Sequence, residues 1–169
     1  IINSFRHVLA LTDVEAEQFY GDIVEQLTGP MCKKLLLGGT NIDELDSIVR
    51  TALKAAKTRF RTKMGTKSLK TRRLDGIAAR VDSTFTALCD TLQSQPGQRR
   101  AVIVGQEDPF DDAGGHWTVV WACEGPGHRV YFLDSCGAKA NTGQNYSTFG
   151  SARGTKRICS DEMITVYLE

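Results

Sequence analysis

A histidine and an aspartate stand near the two ends of one stretch, GGHWTVVWACEGPGHRVYFLDSCG, which runs from Gly114 to Gly137. His116 opens one apolar run and Asp134 closes the next, and the sequence EGPG between the runs is typical of a hairpin turn. The two residues are an even number of positions apart. A five-residue loop, Glu124 to His128, predicts that they share one face near one end of the hairpin, and a four-residue loop predicts opposite faces.

An imidazole beside a carboxylate is what a thiol or hydroxyl nucleophile requires of its partners. The histidine takes the proton of the nucleophile, and the carboxylate fixes the imidazole tautomer and stabilises the imidazolium that forms. Gly114 and Gly115 leave space for a substrate backbone, and Trp117 can cover the cleft. The alternative interpretation is structural, with a half-buried histidine at a strand end and an aspartate that caps a turn.

The elements that position these residues are predicted to be helices first and strands second. Capping signatures at Thr12 to Glu15 and Asn41 to Glu44 precede apolar stripes of helical period, and a third stripe runs from Ile77 to Leu92. Later segments (RAVIVG, WTVVWAC, RVYFLD, MITVYLE) are rich in β-branched and aromatic residues, which predicts strands. We therefore expect one α+β domain, helical over about 1–95 and a mostly antiparallel sheet over about 96–169. The stretch GAKANTGQNYSTFGSARGTK is predicted to be a loop.

Composition limits the class of protein. The 169 residues suit one domain with a substantial core, no run has the roughly 18 apolar residues of a membrane span, and the first residues lack the order of a signal peptide. The five cysteines form no CxxC pair and are odd in number, which favours neither a zinc knuckle nor a disulfide framework. We expect the protein to reside in a reducing intracellular compartment, the cytoplasm or the nucleus. If the protein is viral or a bacterial effector, this is the compartment of the host cell. No cofactor and no metal site are predicted.

The charge of the chain is unevenly distributed, although the net charge is only +1. The segment from Lys54 to Arg73 carries nine basic residues and no acidic residue. Such a segment can bind nucleic acid, an anionic membrane or an acidic protein partner, and it can also be a solvated connector. Phe60 is its only aromatic residue, which favours the connector, because bases bind by stacking on aromatic side chains.

The stretch HWTVV…YFLDSCG resembles HWS(L/V)VV…YxDSxG of the Ulp-type proteases, which process ubiquitin-like proteins, and it is similar to GGxHW…YLFDPFG of the adenovirus-type proteases. Both are cysteine peptidases. The resemblance implies a cysteine-peptidase-like fold, His116 as general base, Asp134 as the carboxylate that orients it, and Trp117 as part of the substrate channel. It implies a thiol protease or isopeptidase whose substrate is a protein, such as a ubiquitin-like modifier or a polyprotein. The same chemistry can deamidate glutamine or transfer acyl groups.

The identity of the nucleophile stays open. Ulp-type and adenovirus-type proteases place a Cys-Gly pair after the aspartate, whereas here Cys159 is the only cysteine beyond the hairpin, and serine follows it. Papain-like peptidases place the cysteine before the histidine, with an oxyanion-hole glutamine upstream.

The segment QLTGPMC has the papain-like order, with Gln26 six residues before Cys32. Gly29-Pro30 can start a helix there, and the dipole of that helix would favour the thiolate. Cys32 is therefore the first candidate nucleophile, with Gln26 as oxyanion donor, and Cys159 is the second.

A third possibility is that the nucleophile lies outside this chain or does not exist. The protein would then be a degenerate, protease-like interaction domain that binds an acidic partner or nucleic acid through Lys54 to Arg73. Among the other cysteines, Cys89 and Cys123 are predicted to be core residues, and Cys136 is predicted to line the site without acting in it.

Overall fold

The computed structural model describes residues 1–32, 40–77, 81–107, 116–124, 129–133, 143–145 and 157–169. The helices are α1 (Ile2–Leu9), α2 (Asp13–Gln26), α3 (Ile42–Arg59), α4 (Arg61–Met64) and α5 (Val81–Gln93). The strands are β1 (Leu69–Arg73), β2 (Arg100–Glu107), β3 (His116–Glu124), β4 (Arg129–Leu133), β5 (Gly143–Asn145) and β6 (Arg157–Leu168). The predicted α+β class is confirmed. Of the helices described, none is both long and apolar enough to span a membrane.

The strands form one sheet in the order β1-β6-β2-β3-β4-β5, and each neighbouring pair is antiparallel. The last strand in sequence, β6, thus lies between β1 and β2. Alternate residues of a strand point to opposite faces, so each face carries its own apolar cluster. Ile103 packs with α1, α2 and α3 in the first cluster, and Val102 and Val104 pack with α5 in the second cluster.

Two helices begin where the capping signatures predict. At the start of α2, the backbone N–H of Glu15 donates to Thr12 Oγ1 at 3.2 Å, and the backbone N–H of Thr12 donates to the Glu15 carboxylate at 2.8 Å. Asn41 and Glu44 make the same reciprocal pair at the start of α3. Each pair satisfies two N–H groups that have no partner inside a helix.

Four of the described elements were not predicted, namely α1, α4, β1 and β5. The predicted order, with a helical part before a sheet part, is confirmed. The strand β1 lies within the part predicted to be helical, the strand β5 lies within the predicted loop, and α1 lies before the first predicted helix. The sequence LKTRR of β1 has no strand-like apolar alternation. It is a strand because it pairs with β6, which places Leu69 opposite Leu168 and buries Leu69.

The basic segment is not a connector, which corrects that interpretation. It forms the last third of α3, all of α4 and all of β1. Arg59 binds Asp22 at 2.6 Å, Lys63 binds Glu15 at 2.7 Å, and Arg73 binds Asp43 at 2.7 Å. Part of its charge therefore holds α3 and α4 against α2, and β1 against α3. Other basic side chains of the segment are exposed, namely Lys54, Lys57, Arg61, Lys67 and Arg72.

Acid is expected to weaken the contact between α2 and α4. The ammonium of Lys63 and the backbone N–H of Thr12 lower the pKa of Glu15 from 4.5 to about 2. Because the pKa is lower in the folded state, the carboxylate stabilises the fold above pH 4.5, and this contribution is lost as the pH falls towards about 2. Glu15→Gln should therefore destabilise the protein more at about pH 7 than at about pH 3 in urea denaturation.

The control for this prediction is Glu17→Gln, which changes an exposed carboxylate on the same helix. We expect it to change the free energy of unfolding little at either pH. A destabilisation by Glu15→Gln that is the same at both pH values would contradict the role of the Glu15 carboxylate.

Candidate functional site

His116 is the first residue of β3, is half-buried, and lies opposite Gln106 of β2. The side chains of Trp117 and Val119 pack on the first cluster, and Val120 packs in the second. By strand alternation, the His116 side chain points to the face of the second cluster, beneath which α5 packs. The predicted base is therefore at a strand end, as expected, and on the face opposite Trp117.

The β3–β4 hairpin has the register expected for a five-residue loop, but a shorter loop and a bulge together produce it. Glu124 pairs with Arg129, so four residues lie between the strands, which is the four-residue alternative and not the five-residue one. A bulge at Trp121 then shifts the pairing by one residue, so that Val119 lies opposite Leu133. In this register the even-numbered residues of β3 before the bulge share one face with the even-numbered residues of β4, as the five-residue loop predicted. Asp134, the predicted orienting carboxylate, lies outside the described residues, as do Gly114, Gly115 and Cys136.

The sequence did not single out Gln106, yet it is the side chain nearest to His116 in the sheet register. Residues directly opposite each other in antiparallel strands have Cβ atoms about 4.5–5.5 Å apart. Gln106 is only 5% exposed, and it continues the face of Val102 and Val104. A polar residue at the buried end of the run RAVIVGQE was the available signal. Its amide offers both a donor and an acceptor beside the imidazole.

Cys32 lies in a short helical segment, as predicted, because the backbone is helical from residue 29 to residue 32 and the amide of Cys32 donates to the Thr28 carbonyl at 2.9 Å. Its thiol lies 3.8 Å from the carbonyl oxygens of both Val24 and Leu27. These oxygens accept from the S–H group.

Cys32 packs against the first cluster, so the described geometry places it on the face opposite His116. Gln26, the predicted oxyanion donor, is exposed at the last residue of α2. An oxyanion donor acts best in a site that excludes water. The structure therefore does not bring Cys32, Gln26 and His116 together in the part of the chain that it describes.

Cys159 lies at the start of an interruption in the pairing of β6 with β2. Gln106 pairs with Ile158 and Val104 pairs with Met163, so residues 159–162 of β6 lie against the single residue Gly105. Since β2 lies between β6 and β3, three residues that pair across neighbouring strands form a row, from Ile158 through Gln106 to His116. The half-buried Cys159 immediately follows this row. Bulges are frequent next to active sites, where they redirect a side chain.

Gly105 leaves room for the bulge. A Cβ atom at this position would lie 2.9 Å from the Cβ of Glu162 and would overlap the Glu162 carboxylate. On its other side, Gly105 pairs with Trp117. Because position 105 has no side chain, the Glu162 side chain of the bulge lies directly on β2.

Trp117, predicted to belong to the substrate channel, is held in place by a hydrogen bond. Its Nε1–H donates to the carbonyl of Thr40 at 3.0 Å, just before α3 begins. The half-buried indole lines an apolar cavity together with residues of α1, α2 and α3. Trp117 is therefore accessible from a cavity on the face opposite His116.

Cys123 is a core residue, as predicted, and the half-buried Cys89 packs against the same cluster. Cys123 is 6% exposed in β3, and its thiol is hydrogen-bonded to that of Cys89 on α5. Burial raises the pKa of both thiols, so both stay protonated and unreactive near neutral pH. Neither is a candidate nucleophile.

Comparison of the chain with protein-family models, with curated proteins and with solved structures gives no match. Within the described ranges, no three His, Cys, Asp or Glu side chains are grouped so that they could hold a metal ion. We therefore infer the function from the chemistry and geometry of His116 and its neighbours.

Proposed function

We propose that the protein is a thiol hydrolase that cleaves a peptide or isopeptide bond, with His116 as the general base. The observation that carries the proposal is the row from Ile158 through Gln106 to His116, beside the cysteine of a β-bulge. The hairpin register supports it too, because it places the even-numbered residues of β3 before the bulge on the same face as the even-numbered residues of β4. Asp134 is the proposed orienting carboxylate.

The reaction begins when His116 takes the thiol proton and the thiolate attacks the carbonyl carbon of the scissile bond. The oxyanion is stabilised by N–H donors, for which the buried amide of Gln106 is better suited than the exposed Gln26. The imidazolium then gives its proton to the leaving amine, and a thioester remains. Water activated by His116 hydrolyses the thioester and restores the thiol.

We propose Cys159 as the nucleophile, with Cys32 as the alternative; because β2 separates β6 from β3, this assignment requires the bulge of β6 to turn the Cys159 thiol towards His116. Cys159 belongs to the strand next to β2, on which Gln106 lies. Cys32 packs on the opposite face, and its thiol lies near two carbonyl oxygens.

Mapping of the fastest-reacting cysteine tests the proposal. Brief treatment with limiting iodoacetamide near neutral pH, followed by peptide mass spectrometry, should modify Cys159 first, because an activated thiol is largely thiolate there. Cys159→Ala should abolish the fast reaction, and the matched variant Cys32→Ala should preserve it. Fast labelling of Cys32 instead would reassign the nucleophile. Uniformly slow labelling of every cysteine would contradict the thiol-hydrolase proposal.

A second candidate is a non-catalytic domain that binds nucleic acid or another polyanion through the segment from Lys54 to Arg73. The exposed side chains of Lys54, Lys57, Arg61, Lys67 and Arg72 favour it. Binding to a single-stranded oligonucleotide should then weaken steeply as salt rises, because each neutralised phosphate releases a counterion. Binding that is absent or independent of salt would exclude it.

A further inference from the structure

An apolar cavity of about 280 Å³ lies between the helices of the first cluster and strands β3 and β4. Ile23 and Val24 of α2 and Ile48 of α3 form one side, and Trp117 and Leu133 form part of the other. None of the side chains that the structure describes around it carries a charge. Its volume is nearly twice the roughly 150 Å³ of an engineered apolar cavity, in another protein, that binds benzene.

Two polar side chains of the wall, those of Asn3 and Trp117, have partners within the protein, whereas the buried Thr118 Oγ1 has none among the described residues. Asn3 Nδ2 donates to the carbonyl of Leu133 at 3.2 Å, and Trp117 Nε1 donates to the carbonyl of Thr40 at 3.0 Å. A charged ligand in this space would lose its hydration, and no described side chain of the wall offers it a counter-ion. The lining therefore favours an uncharged hydrocarbon group.

The opening of the cavity is flanked by apolar surface. Tyr20 and Val24, one helical turn apart on α2, both line the cavity and are 51% and 38% exposed. Burial of this surface by a ligand would remove apolar area from water, at a gain of about 25 cal/mol per Å². The exposed residues thus extend the apolar wall outward from the cavity.

We propose that this cavity is a binding site for an uncharged hydrocarbon group, of the size of a small aromatic ring or a branched aliphatic group. A free small molecule and a side chain of a peptide can each supply such a group. The site does not depend on the thiol chemistry, because His116 and Cys159 are not among the residues that line it.

Titrations followed by the methyl NMR signals of Ile23 and Ile48 test the site. Toluene represents the free small molecule, N-acetyl-leucine amide represents the peptide side chain, and benzylammonium is the charged control of similar size. At least one neutral probe should shift both methyl signals in a saturable way. Binding of toluene would indicate a free small molecule as the ligand, and binding of N-acetyl-leucine amide would indicate a peptide side chain. Benzylammonium should bind at least about tenfold more weakly than toluene. Failure of both neutral probes, or equal binding of benzylammonium and toluene, would overturn the proposal.

Two matched tryptophan variants on α2 locate the binding. Val24→Trp places a large ring at the opening and should weaken the binding of the neutral probe at least about tenfold. Val14→Trp makes the same change at a residue that is 62% exposed and is not among the lining residues, and it should leave binding unchanged. If Val24→Trp does not fold, Ile48→Phe, which fills the cavity from inside, takes its place. Equal binding in the cavity variant and the Val14→Trp control would refute the assignment.

Discussion

Alanine in place of His116 is expected to lower the rate of acyl-group hydrolysis by about 10²–10⁴-fold, the usual contribution of a general base. Without the imidazole, the thiol keeps its proton near neutral pH, and no group activates the water that hydrolyses the thioester. The hydrolysis of a p-nitrophenyl ester measures the effect, because this activated substrate requires little recognition. The loss should be largest near neutral pH and should shrink as the pH rises towards about 8.5, where an ordinary thiol ionises.

His7→Ala is the control for the base, because His7 is also a half-buried histidine but lies on α1. Burial, and secondarily the charge of Arg99, lower the pKa of His7, and its ring packs 5.6 Å from that of Trp121. We expect this variant to keep its hydrolytic rate. If both alanine variants lose activity equally while their circular dichroism stays unchanged, His116 is not acting as the base.

Alanine in place of Gly105 is expected to destabilise the protein by about 1–3 kcal/mol, the typical cost of extra atoms in a packed region. The new Cβ would meet the Cβ of Glu162 at 2.9 Å, so the bulge of β6 has to move. Urea denaturation measures the change in the free energy of unfolding. Since Cys159 belongs to the same bulge, its alkylation rate should change as well.

Gly21→Ala is the matched control, with the opposite expected sign. Gly21 lies within α2, and a Cβ atom there has no neighbour within 4 Å. Alanine is a better helix former than glycine by about 0.8–1.0 kcal/mol, so this variant should be stabilised. Stabilisation by both alanines would show that Glu162 does not restrict position 105.

The regular elements were predictable where local chemistry determines them. Thr12 with Glu15 and Asn41 with Glu44 mark two helix starts, because each pair satisfies backbone donors within four residues of sequence. The strand β1 was not predictable, because its basic sequence becomes a strand only by pairing with β6, far along the chain. Local patterns do not contain that pairing.

The candidate site was predictable only in part, for the same physical reason. The position of His116 at a strand end follows from the apolar run that it opens. The neighbouring Gln106 depends on the register between β2 and β3, and the shifts at Trp121 and at residues 159–162 depend on bulges. Alternation along one strand predicts which residues share a face, but not where an extra residue shifts the pairing.

The position of β6 between β1 and β2 determines the order in which the sheet can form during synthesis. β2, β3 and β4 leave the ribosome before β6, and they can pair as consecutive strands. β1 cannot pair before β6 is synthesised, because β6 is its only described neighbour in the sheet. Until then β1 and one edge of β2 remain unpaired, and such edges can pair with other chains. We therefore expect closure of the sheet to be slow and to follow the emergence of β6.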